Sequence, residues 1–346
     1  MQVLLRTKLE RTPVYDIYWR FACERQNVFF NRLAGKPPPW TSDPIVRKYK
    51  FTNAYRALDR VSQFLIAEII NRDKKAGLPK EDKVFRILLF KLFNKVETWQ
   101  LLEDAVGAIT SSRYSFRNYD DALSDAFHSG RKIYSAAYIM ASGESAFGLK
   151  RKHQNHLKLL EQMMATDIGK RVASCCLMAE LYAVLLSYPL IGTFLAYQFA
   201  TDINYSDITD FSEEEFVMPG PGAQDGIAKC FYDKGGLSDA DVIRHMMDSQ
   251  ENEFTRLGLK FRTLFGRSLK LIDCQNLFCE VGKYARVSHP RISDRSGRAR
   301  IKQVYRTTGM LPVPYFPEKW GLTDAVHRYI SAACPADEAV SDEGRQ

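Results

Sequence analysis

Residues 188–198 read YPLIGTFLAYQ, and Phe199 and Ala200 extend the apolar run at once. Pro189 and Gly192 punctuate the stretch, with helix-forming residues on both flanks. Proline ends a helix and glycine admits a tight turn with close backbone approach. The stretch therefore reads as a short hairpin joining two helices, or as a plain break between two core helices. Working outward, residues 51–71 place Tyr55, Leu58, Val61, Leu65 and Ile69 at spacings of three and four, which predicts an amphipathic helix. Residues 83–93 (KVFRILLFKLF) are apolar on most sides and predict a buried helix. Residues 158–166, 169–187 and 239–257 continue the pattern, the last opened by Ser238 and Asp239 in capping positions. An N-terminal helix is expected over roughly Pro13–Leu33, and only short pieces such as residues 267–272 look strand-like. The expected fold is mainly α.

The bulk properties narrow the function classes. Of 346 residues, 45% are hydrophobic and 12% aromatic, enough for a substantial core, so disordered and fibrous classes are excluded. No apolar run reaches about 18 residues. The N-terminus has no apolar signal core, so neither a membrane partner nor secretion by that route is expected. Seven cysteines without a CxxC pair suggest reduced thiols and a cytoplasmic or nuclear setting. His153 and His156 form the only close histidine pair, with no third ligand nearby; no metal is predicted, and solvated or phosphate-facing histidines are expected. A net charge of +8 favours acidic partners, nucleic acid foremost. Residues 291–306 carry six Arg or Lys against one Asp, and Lys150, Arg151, Lys152 and Lys158 form a second basic stretch. Pro- and Gly-rich breaks at 34–43, 218–226 and 233–236 suggest an N-terminal helix and loop (1–38), a main helical unit (39–310) and a C-terminal extension with an acidic tail (311–346). One helical domain of two lobes is the simplest arrangement.

Chemistry gathers around the hairpin. The helix-hairpin-helix of many DNA-binding proteins follows L-P-G-h-G-x-x-x-A, and residues 188–196 fit it with Leu190 in place of the first glycine. Gly192 and Thr193 would then open a helix whose free N–H groups suit a phosphate. In glycosylases built on this hairpin a catalytic Asp lies beyond it; here that window holds Asp202, Asp207 and Asp210, with Asp210 best placed and Ser212–Glu215 readable as a capping box. The turn at 218–223, with Gly220 and Gly222, precedes Lys229 and suggests an anion cradle without being a P-loop, since no GK[ST] follows. Residues 271–280 (LIDCQNLFCE) set Asp273, Gln275 and Asn276 in apolar surroundings, where such groups need partners, internal or from a base edge.

Several stretches in order resemble one family. They are Pro39-Trp40-Thr41 with Asp43-Pro44-Ile45, residues 49–63 (YKFTNAYRALDRVSQ), residues 90–99 (FKLFNKVETW), the hairpin, the PGPGA turn, IDCQNLFCE and Ser296-Gly297-Arg298. Together they are similar to the helical domain of 5-hydroxymethyl-deoxyuridine DNA kinases, also called the alpha-glutamyl/putrescinyl thymine pyrophosphorylase group, over nearly the whole chain. The resemblance implies a multi-helical, helix-hairpin-helix DNA glycosylase-like fold. It also implies an enzyme that displaces a phosphoryl or pyrophosphoryl group from 5-hydroxymethyluracil in DNA with an amine or amino acid. That amine or amino acid is the only co-substrate expected, and no cofactor is. The partners implied are DNA bearing a modified pyrimidine and, because no P-loop is present here, a separate 5-hydroxymethyluracil DNA kinase. Catalytic candidates are Asp210, Glu97 and Asp273. Asn53, Arg56, Arg60, Gln63, Asn94, Trp99, Gln275 and Asn276 are candidates for holding the flipped base and its leaving group. Gly192, Thr193, Gly220, Gly222, Lys229, Arg298, Arg300 and Lys302 are candidates for DNA phosphates. A base-excising glycosylase and a non-catalytic module that binds modified DNA are the rival readings.

Overall fold

The computed structural model of the chain describes residues 9–292, 296–306, 309 and 311–333, so the acidic tail lies outside the described residues. It is mainly α, as expected. Helix α1 (Pro13–Leu33) starts where Thr12 accepts from Val14 N and Pro13 occupies the first turn. The Pro-rich loop and α2 (Pro44–Lys48) follow, α2 capped by Asp43, which accepts from the N–H groups of Ile45 and Val46. Residues 51–59 are not the start of a long helix. They form an extended loop with one 3-10 turn, Arg56–Leu58, and the helix begins only at α3 (Arg60–Phe64). It continues through a π-helical turn, Leu65–Ile70, into α4 (Asn71–Lys75). The buried Arg56 and Tyr55 explain the difference: their long-range partners outweigh local helical preference.

Next come α5 (Lys80–Phe93), α6 (Val96–Val106), α7 (Phe116–His128), the short α8 (Glu144–Phe147) and α9 (Lys152–Ala165). The expected helix over 169–187 is two, α10 (Ile168–Ser174) and α11 (Met178–Leu186). Then follow α12 (Thr193–Ile203), α13 (Pro221–Cys230), α14 (Asp239–Arg256), α15 (Leu271–Ser288) and α16 (Thr323–Ala333). Residues 267–270 form no strand: Arg267 pairs only with Leu264 in an isolated bridge, and Leu271 already belongs to α15. No helix forms at 212–215, so Ser212 opens none. Glu10–Arg11 and Phe231–Asp233 make a two-stranded antiparallel ribbon. No helix among the described residues is long and apolar enough to cross a membrane.

The helices pack in two groups around a continuous core. In the first, α1, α13, α14 and α15 enclose Tyr18, Trp19, Phe254 and Phe278, whose rings meet edge to face or tilted. Helices α13 and α15 cross closely: a Cβ on Gly226 would meet the Phe278 carbonyl carbon at 2.6 Å, and one on Gly282 would meet Gly226 Cα at 3.2 Å. The second group holds α5 to α7 and α9 to α12. The loop carrying Arg56 runs between the groups, tied to the first through Asp273 of α15 and to the second through Asp202 of α12. His153 and His156 are buried inside the second group rather than solvated. His153 Nε2 is 2.9 Å from Asp120 Oδ1, while His156 lies 2.9 Å from both Tyr134 Oη and Ala141 O.

Candidate active site

The hairpin keeps its turn without the missing glycine. Leu190 itself adopts φ 66°, the left-handed conformation a glycine takes at least cost. Its side chain lies over Gly143, where a Cβ would sit 2.7 Å from Leu190 Cδ1. Gly192 is extended and open, with nothing within 4 Å of an added Cβ. Gly192 and Thr193 are exposed at the start of α12. The hairpin thus carries the far end of the loop that crosses residues 131–143.

One face of α12 runs inward from there. Phe194, Gln198 and Asp202 follow one another at four-residue spacing and so line up. Asp202 is fully buried and receives a two-pronged contact from Arg56, Nη1 to Oδ1 at 2.8 Å and Nη2 to Oδ2 at 2.9 Å. Arg56 Nε donates to Gln198 Oε1 at 2.9 Å, and Nη1 also reaches Tyr205 Oη at 3.3 Å. Lys91, from the last turn of α5, places Nζ 2.9 Å from Asp202 Oδ2 and donates to Asn94 Oδ1 at 2.6 Å. Asn94 ends α5 in the left-handed conformation, φ 49°, which aims its amide back at Lys91. Burial opposes ionisation of Asp202, but Arg56 and Lys91 outweigh it and hold the carboxyl below its usual range. Burial pulls the Lys91 ammonium down against the attraction of Asp202. Two cations thus meet on one carboxylate in a buried place.

Tyr138 covers this cluster. Its ring lies 4.7 Å from Lys91 Nζ and stacks on Phe194, centroids 5.6 Å apart and planes 8° from parallel. Phe194 also lies against Gly220, where a Cβ would come within 2.7 Å of Cε2. Half-buried Asp59 borders the same cluster; burial pushes its carboxyl up to about 7, Glu280 adds to the rise, and Arg56 and Arg25 oppose it. Asp59 Oδ1 accepts from Asn53 N at 3.3 Å. The arrangement offers cations for a departing anion, a carboxyl near neutrality for proton transfer, and a ring platform.

The structure brings Arg56 and Asn94 into this cluster and sets Asp273 behind it. Asp273 is buried, accepts from Arg56 N at 2.8 Å and from Lys270 N at 3.0 Å, and so positions Arg56; burial pushes its carboxyl up to about 6. Asn53 and Asn276 form the wall beyond Asp59: Asn276 Nδ2 donates to Asn53 O at 2.9 Å, and Asn53 Oδ1 accepts from Arg25 Nη2 at 3.3 Å. Gln275 is buried on α15, its Oε1 without a hydrogen bond. Gln63 bonds the backbone of Ala57 and Tyr315, and Trp99 is a core ring beneath Arg86. Arg60 and Glu97 pair at the surface, 3.5 Å apart.

Asp210 lies elsewhere. It is exposed and 3.5 Å from Lys319 Nζ, on a cleft of about 250 Å³ that also holds Glu213, Glu214, Arg267, Lys270 and Trp320. Gly220 opens α13 under Phe194, Gly222 packs on Cys279, and Lys229 Nζ donates to Ile292 O at 2.7 Å. Arg298, Arg300 and Lys302 are exposed. Tyr49 pairs with Val304, and Lys50 N donates to Gln303 O at 3.0 Å, so the stretch that follows Lys302 runs beside Lys48 and Lys50. Among the described residues no group of His, Cys, Asp or Glu is placed to hold a metal ion.

Sequence reasoning passed over Asp202, Gln198, Phe194, Tyr138 and Asp59. The first three had a signal: two polar residues in step with one ring on an otherwise apolar helix. Tyr138 and Asp59 sit in irregular segments and had none.

Fold and site together define an α-helical protein with two buried cations paired to one carboxylate under an aromatic cover. Comparison with known proteins places it. The family described as 5-hmdU DNA kinase, helical domain, matches residues 12–294. The chain belongs to that family. A relative named 5-hmdU DNA kinase, from Bacillus phage SP10, is 27% identical over 301 residues, which cover 80% of this chain and 46% of the relative. The chain thus spans about half the length of that curated relative. No solved structure matches.

Proposed function

We propose that the protein acts on phosphorylated 5-hydroxymethyluracil in DNA, exchanging the phosphoryl or pyrophosphoryl group for an amine or amino acid. The amine nitrogen attacks the methylene carbon on C5 as the carbon–oxygen bond to the phosphate breaks. The phosphate leaves with the bonding pair, and the proton shed by the nitrogen passes to a base. Arg56 and Lys91 bear the departing charge, and Asp59, ionised near neutrality, receives the proton. The observation that carries this reading is the convergence of two buried cations, Arg56 and Lys91, on Asp202 beneath the stacked Tyr138 and Phe194 rings. Family membership and the name of the phage relative support 5-hmdU in DNA as the substrate context. The reading requires a kinase activity that supplies the phosphate.

The test is nucleoside mass spectrometry. Duplex DNA bearing 5-phosphomethyl- or 5-pyrophosphomethyluracil is incubated with the protein and a mixture of amines and amino acids. A thymine adduct with loss of phosphate is expected, falling at least a hundredfold in Lys91→Met, about the effect of removing one charge-stabilising donor. Release of free base with an abasic site would instead establish a glycosylase, and intact DNA that still binds would establish a recognition module.

A further inference from the structure

Phe194 lies against Gly220 on its Cδ2–Cε2 side and is covered by Tyr138 in a parallel stack. Tyr138 reaches this position at a cost, since it is a non-glycine residue at φ 56°. It comes from a segment without regular secondary structure, with Ile139 beside it 75% exposed; the loop is held on its far side, where Met140 is buried and Ala141 O bonds His156. Beneath the ring lie Lys91 at 4.7 Å and the Arg56–Asp202 pair, with Gln198 one helical turn inward from Phe194. A flat ring with a polar edge, stacked on an aromatic and pointing toward buried cations, has the same shape and chemistry as a pyrimidine carrying an anionic substituent.

The geometry points to Phe194 as the stacking platform for a pyrimidine base, with Tyr138 as the place-holder that the base displaces. The base lies on Phe194 where the phenol now lies, its edge faces the Gln198 amide, and its 5-substituent extends to Arg56 and Lys91. This rests on the reading above for the identity of the substituent, but not for the stacking itself. A base wins the exchange because the strained Tyr138 backbone relaxes when the ring leaves, and because an anion meets the cations better than a neutral phenol does.

The experiment is a calorimetric titration with the nucleoside 5-phosphomethyl-2′-deoxyuridine, which needs no duplex opening, on the intact chain. Tyr138→Ala removes the competitor and is expected to bind about fivefold tighter than the natural protein. Tyr138→Phe keeps the ring but loses the contact of the hydroxyl with Arg56, and is expected to fall between the natural protein and Tyr138→Ala. Phe194→Leu loses the platform and is expected to bind about tenfold more weakly. Equal or weaker binding by Tyr138→Ala would overturn the place-holder, and unchanged binding by Phe194→Leu would overturn the platform. The two proposals fail separately. Tighter nucleoside binding by Tyr138→Ala without any transfer product sinks the reaction and keeps the site. Transfer on DNA with no nucleoside binding by any of the proteins sinks the site and keeps the reaction.

Discussion

Asp202 shows what one buried carboxylate does. Alone it would be costly to ionise, yet Arg56 and Lys91 make it an anchor, and its removal would leave two cations unpaired inside the protein. Asp59, a few residues from Arg56, has the opposite character. Among the described residues no cation hydrogen-bonds it, and burial lifts its carboxyl to about 7 from the ordinary 3.8. In the folded state it keeps its proton while the unfolded chain loses it. The folded state therefore holds more protons across that interval, and Asp59 lowers stability progressively as pH rises from about 4 to about 7. Asp59→Asn should remove that share of the slope. Urea unfolding at pH 4.5 and pH 7.5 should show the variant gaining on the natural protein as pH increases. A constant difference between them would mean that Asp59 titrates as an ordinary carboxylate.

At the scale of elements, the crossing of α13 and α15 decides whether the first helical group assembles. Gly226 faces the Phe278 carbonyl with no room for a methyl group, and that neighbour is backbone, which cannot swing aside. Gly282 is less crowded, 3.2 Å from Gly226 Cα. Gly226→Ala should lose about 3 kcal/mol or more and Gly282→Ala about 1 kcal/mol, the range for overpacked interiors. Thermal or denaturant unfolding of the two variants would read this directly; equal, small losses would show that the helices can slide apart cheaply. The hairpin belongs to the same scale. Its proline and turn were visible in residues 188–198, but its work inside the fold is to seat the loop bearing Tyr138, through Leu190 on Gly143 and Phe194 on Tyr138.

Across the whole molecule, residues 303–305 and 48–50 are far apart in sequence and adjacent in space, which brings two basic stretches of the chain together. If these stretches follow a DNA backbone, each lost phosphate contact lowers the salt dependence of binding by about one unit of log–log slope. The triple substitution Arg298→Gln, Arg300→Gln, Lys302→Gln should flatten the slope by about three. An unchanged slope would remove these cations from the interface. Those three cations already stand out in the sequence, whereas the stretch holding Lys48 and Lys50 meets theirs only through the Tyr49–Val304 bridge.

Helical periodicity, caps and breaks are local, so the amino-acid sequence by itself determined the mainly α fold, the ends of α1, the position of the hairpin and the family, whose motifs run along the chain. It also singled out Arg56 and Asn94. Within one short acidic window it put Asp210 ahead of Asp202. Only the tertiary structure pairs Asp202 with Arg56, because an ion pair between residues 146 positions apart depends on how the helices pack. Packing buried Asp202 against Arg56 and Lys91 and left Asp210 at the surface. The helix expected over residues 51–59 gave way for the same reason. Local preference is worth tenths of a kcal/mol per residue, on the order of 0.5. The buried contacts of Tyr55, Arg56 and Asp273 are worth more, and they exist only once the chain has folded.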